Sequence, residues 1–64
     1  MLVEKVSYDI DVKAFKRGTS IFIPCLDGTA VRAQLTDYFR KFRIKTVAKI
    51  TIEDGIRGCR VWRI

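Results

Sequence analysis

The stretch that most constrains the fold is the last twenty residues, Lys45 to Ile64 (KTVAKITIEDGIRGCRVWRI). Two runs rich in Val, Ile and Thr flank Asp54-Gly55. That dipeptide favours the left-handed backbone angles of a type I′ turn, whose twist matches that of the strands it joins. With Asp54 and Gly55 as the two loop residues, every cross-strand pair is fixed. Glu53 faces Ile56, Thr51 faces Gly58, Ile50 faces Cys59, Lys49 faces Arg60, Ala48 faces Val61 and Val47 faces Trp62. Facing residues share one side of a sheet. One face therefore carries Ala48, Ile50, Ile52, Cys59 and Val61. The other carries Lys45, Lys49, Arg60 and Trp62, with Val47 beside the indole.

The second face is the candidate functional surface. Lys49 opposite Arg60 is unfavourable unless an anion or a nearby carboxylate neutralises the pair. A large aromatic among cations suits stacking on a nucleic-acid base. The same pattern also fits a Trp62 buried in the core with the cations as a solvated rim, and a slip of one residue would exchange the faces.

The rest of the chain must complete a sheet. Leu2 to Ala14 alternates, with Val6, Tyr8, Ile10 and Val12 on one side and Lys5, Ser7, Asp9, Asp11 and Lys13 on the other, which predicts a half-buried strand. Phe15 to Thr19 reads as a turn around Gly18 with Lys16 and Arg17 at its tip. Ser20 to Cys25 (SIFIPC) predicts a second strand, and Pro24 places it at an edge or a strand end. Asp27 or Thr29 is the expected N-cap of a helix over Ala30–Phe42, with an apolar stripe of Val31, Leu35, Tyr38, Phe39 and Phe42. The sequence thus predicts one α+β domain over residues 1–64, ordered β-β-α-β-β: a mostly antiparallel sheet with the helix on one face.

Charge narrows the function. The chain carries 13 Lys and Arg against 7 Asp and Glu, a formal +6 with pI near 9.8. Residues 1–15 are net −1, whereas Arg32, Arg40, Lys41, Arg43, Lys45 and Lys49 oppose Asp37 alone across residues 32–49. An anionic partner is implied. Arg40, Lys41 and Arg43 also suit the negative end of the helix macrodipole. Histidine is absent, no acid–base pair or nucleophile stands out, and no Gly-rich phosphate loop occurs, so an enzyme is not expected. Cys25 and Cys59 lie far apart and read as buried thiols rather than metal ligands or a disulfide. No metal or cofactor is expected. No apolar run is long enough to span a membrane, and MLVEKVSYDID lacks the apolar core of a signal peptide, so no membrane partner and a cytoplasmic location are expected.

Ser20-Ile21-Phe22-Ile23-Pro24 and the closing DGIRGCRVWRI resemble a family of short tailed-phage proteins with no assigned function, in which an SFFVP-like segment precedes a basic helical stretch and the chain ends in a DGVKGVRVWR-like motif. The resemblance spans roughly residues 18–64, Cys59 stands where the pattern has Val, and the first strand is not part of it. It implies a phage origin, and hence the host bacterial cytoplasm, without implying any reaction. The first functional expectation is a non-enzymatic nucleic-acid-binding protein of low sequence specificity, for DNA or RNA. Arg40, Lys41, Arg43, Lys45, Lys49 and Arg60 would contact phosphates and Trp62 would stack on a base. The alternative is a modulator that binds an acidic surface of a host polymerase or nuclease. An exposed sheet edge would also admit a homodimer.

Overall fold

The computed structural model describes residues 1–64. Its elements are β1 (Leu2–Val3), β2 (Val6–Ser7), β3 (Ser20–Pro24), α1 (Gly28–Arg40), β4 (Thr46–Glu53) and β5 (Ile56–Arg63). The α+β class holds and the order is consistent with β-β-α-β-β, with a β1-β2 hairpin in the place of the first predicted strand, but the strands form two antiparallel sheets. One is the small β1-β2 hairpin; the other is three-stranded, in the order β3-β5-β4.

The C-terminal hairpin has the expected register. Glu53 pairs with Ile56, Lys49 with Arg60 and Val47 with Trp62. Asp54 and Gly55 both take positive φ (53° and 77°), as a type I′ turn requires. The ladder runs on to an Ile64 N–H donating to the Lys45 carbonyl at 3.1 Å.

The predicted strand from Leu2 to Ala14 is corrected. The chain reverses at once through Glu4 and Lys5, both with positive φ (48° and 69°), and after Ser7 it continues without a strand. The reason is a long-range contact. The Glu4 carboxylate accepts the N–H groups of Leu26 and Asp27, each at 2.8 Å, just ahead of the helix. The favourable charge-to-backbone bonds hold a left-handed turn that neither residue type prefers. The alternating apolar residues beyond it, Tyr8, Ile10 and Val12, pack against the core without joining a sheet.

Helix α1 begins two residues earlier than expected. Asp27 is the N-cap, its Oδ1 accepting the Ala30 N–H at 3.2 Å. The helix ends in a Schellman motif. Ile44 N–H donates to the Phe39 carbonyl and Arg43 N–H to the Arg40 carbonyl, with Arg43 in the left-handed region at φ 59°. Phe39 and Ile44 are both buried in the core, the apolar contact that accompanies this cap. Phe42 falls after the helix and is 49% exposed, so the predicted stripe loses its last member.

The core lies between the sheet and a layer made of α1 and the N-terminal segment. It consists of Val3, Phe15, Ile23, Cys25, Val31, Leu35, Phe39, Ile44, Cys59 and Val61. Phe15 and Phe39 meet with ring centroids 4.9 Å apart. Cys25 and Cys59 are buried free thiols, and burial raises both above the usual thiol range. The opposite face of the sheet is uncovered. Of its side chains, at Ser20, Phe22, Val47, Lys49, Thr51, Glu53, Ile56, Arg60 and Trp62, none is fully buried. No helix is long and apolar enough to cross a membrane.

Candidate nucleic-acid interface

Side-chain alternation along β4 and β5 builds the open face. Cys59 and Val61 point into the core, so Arg60 and Trp62 point away from it. Trp62 is half-buried and stands between Ser20 on β3 and Val47 on β4. The indole is thus neither a core side chain beneath the helix nor a freely rotating one. It lines a shallow hollow of about 380 Å³ together with Gly18, Val47, Lys49, Arg63 and Ile64. The floor is apolar and the rim carries Lys49, while the Arg63 side chain turns to the other side of the sheet, where its Nη1 donates to the Phe15 carbonyl at 2.6 Å.

The cross-strand pair of Lys49 and Arg60 is neutralised from within the chain. Arg60 Nε donates to Glu53 Oε2 at 2.6 Å and its Nη2 to Oε1 at 2.5 Å. Its Nη1 donates to Ser20 Oγ at 2.8 Å, and the guanidinium carbon lies 5.5 Å from the centre of the Phe22 ring. Arg60 therefore ties β5 to both of its neighbours. Gly58 makes the room. It sits between Arg60 and Glu53 along the ladder, and a Cβ placed there would come within 2.5 Å of the Phe22 ring and 2.6 Å of the Ile23 carbonyl. No larger residue fits.

The Arg60 hydrogen bond, reinforced by the charge of Arg60, holds the Glu53 carboxyl below the usual range. A depressed acid contributes stability above its unfolded-state pKa, about 4.3, and loses it as pH falls through the folded value. The urea midpoint of the native chain is therefore expected to fall more steeply below about pH 4.3 than that of Glu53→Gln. Parallel pH profiles would show that the pair contributes nothing to folding.

The remaining candidates are placed by topology. Lys45 precedes β4 and, by alternation, shares the side of Val47 and Lys49. Lys45 and Lys49 are exposed and make no ion pair. Arg40, Lys41 and Arg43 are exposed at the C-terminal end of α1, in the layer behind the sheet; Arg40 lies 3.5 Å from Asp37, an exposed pair. They do not share the open face with Trp62. They do share its end of the molecule, because Arg43 leads through Ile44 directly into Lys45.

The turn bearing Lys16 and Arg17 reaches the same end, where the Gly18 N–H donates to the Arg63 carbonyl at 2.9 Å. The opposite end holds Glu4, Asp27, Glu53 and Asp54 against the cations Lys5 and Arg57. The domain is charge-polarised, with Trp62 at the basic end.

Sequence reasoning missed Phe22 and Gly18 as parts of this surface, and Glu53 as the partner of Arg60. A signal for the last was present. Glu53 and Arg60 lie on one face with only the side-chain-free Gly58 between them. No group of three or more Cys, Asp or Glu side chains is placed to hold a metal. Comparison with protein-family models, with curated proteins and with solved structures finds no match to this chain.

Proposed function

We propose that this chain is a non-enzymatic, phage-encoded protein that binds single-stranded nucleic acid at the basic end of its open sheet face. The observation that carries the reading is the hollow at Trp62: a half-buried indole with Val47 beside it and Lys49 at its rim. An unpaired base stacks on the indole, and Lys45, Lys49 and the Lys16-Arg17 turn meet the flanking phosphates. Arg40, Lys41 and Arg43 extend the basic track behind the sheet. Arg60, already bonded to Glu53 and Ser20, orders the platform rather than holding a phosphate. An unpaired strand is favoured over duplex because the aromatic is recessed in a flat face, and no helix projects to enter a groove. Phage origin rests on the SIFIP and DGIRGCRVWRI motifs.

The test is the fluorescence of Trp62, the only tryptophan, titrated with single-stranded and duplex oligonucleotides at low and high salt. Single strands are expected to quench it saturably, with affinity falling as salt rises because phosphate contacts release counterions. Unchanged emission with every oligonucleotide at low salt would overturn the reading and leave an acidic host protein as the ligand of the basic end.

A further inference from the structure

The three-stranded sheet has two edges, and they differ. Alternation in the ladder assigns the backbone directions. Cys25 N–H donates to Arg57 O, and Ile64 N–H to Lys45 O, so the odd residues of both β3 and β4 turn their amides toward β5. The outer edge of β3 then offers Ser20, Phe22 and Pro24. Pro24 has no N–H to offer, and the segment from Tyr8 to Phe15 lines a hollow against this strand.

The outer edge of β4 offers the amides and carbonyls of Thr46, Ala48, Ile50 and Ile52 over an eight-residue strand without Pro or Gly. Ile50 and Ile52 beside it are 45% and 66% exposed. Long, flat, apolar edges of this kind template pairing with another strand.

We infer that β4 pairs antiparallel with β4 of a second copy, joining two domains into one six-stranded sheet. Charge selects both the partner and the register. The strand runs from the basic end of the domain to its acidic end. Antiparallel pairing sets the Lys45 end of one copy beside the Glu53-Asp54 end of the other, so the polarised ends are mutually complementary. Two registers pair seven residues of each strand, and one of them opposes Lys49 to Lys49 of the copy, which is unfavourable.

A shift of one pleat removes that clash. Ile50 then faces Ile50 of the copy across the two-fold axis, and Ala48 faces Ile52. Lys49 faces Thr51, with Glu53 of the copy diagonal to it. Every outward amide from Ala48 to Ile52 gains a partner, and the exposed isoleucines cover each other on the helix side. The interface is isologous and closes after two copies. Facing residues keep their side of the sheet, so the two open faces merge into one surface with a Trp62 hollow at each end.

The association does not depend on the nucleic-acid reading and is tested without nucleic acid. Sedimentation equilibrium of the chain is expected to give a mass rising with concentration toward twice the 7.4 kDa of one copy. At dimer concentrations the Ala48, Ile50 and Ile52 amides are expected to exchange hydrogen far more slowly than on dilution.

Ala48→Pro removes an outward N–H that no intramolecular bond uses, and Ile52→Lys places like charge in the interface. Both are expected to remain at the mass of one copy with an unchanged far-UV spectrum. A chain monomeric at millimolar concentration would overturn the inference. So would a dimer that survives both substitutions, or one whose β4 amides exchange without added protection. The exchange readout uses the native sequence and decides the matter even if a variant fails to fold.

Discussion

Phe39→Ala is expected to leave most of the chain unfolded at 25 °C. Phe39 is fully buried, and its ring meets both Phe15 and Tyr38. It also supplies the carbonyl of the helix-ending bond from Ile44. Truncating a buried Phe costs about 3–5 kcal/mol, the lost transfer energy plus the cavity left behind. A core in a domain of this size rarely supplies more than about 3–5 kcal/mol of net stability. The two quantities match, so the variant has little stability left. Far-UV circular dichroism and a urea titration measure it. Phe42→Ala is the control: its ring is half exposed and touches Tyr38 from outside the core, so its midpoint is expected to move little. Equal losses in the two variants would show that the helix stripe, and not the burial pattern described above, sets the core.

The largest expected effect on binding is that of Trp62→Ala. Base–aromatic stacking is worth about 1–3 kcal/mol per base, so affinity for a short single strand is expected to fall by about 5- to 150-fold. The fold is expected to hold, because the indole lies on the face away from the helix and the buried core. Binding is read by anisotropy of a labelled oligonucleotide, since the variant has no tryptophan. Lys49→Ala should act differently. It leaves the stacking intact and lowers the slope of log affinity against log salt by about 1, the signature of one lost phosphate contact. An unaltered affinity in Trp62→Ala would remove the indole from any binding site.

The parts of the fold that local chemistry decides were legible in the sequence. Asp54-Gly55 fixed a turn, the turn fixed a register, and the register placed Trp62, Arg60 and Lys49 on one face. Asp27 was one of two N-cap candidates, with Thr29, and it is the one that caps the helix. The end of the helix was misread because its cap places Arg43 at a left-handed position where glycine is usual, so nothing in the composition announces it.

The N-terminal error has a different origin. Alternation from Lys5 to Lys13 looks like a strand, but the chain there is held by Glu4 reaching the amides ahead of the helix, a contact between segments more than twenty residues apart. Periodicity reports which residues face inward. It does not report whether their backbone finds a partner strand. The role of Arg60 was half legible: its clash with Lys49 demanded a carboxylate, and Glu53 supplies it.

The Arg60 tie has a consequence for any ligand of the open face. A flexible arginine that clasps a ligand must surrender its rotamer freedom at that moment, a cost of about 0.5–1.5 kcal/mol for each side chain immobilised. Here Arg60 is already bonded to β3 through Ser20 and to β4 through Glu53, and it lies against Phe22. The entropy has been surrendered during folding. The surface that meets a ligand is preorganised, and only the exposed lysines at its rim remain to be ordered.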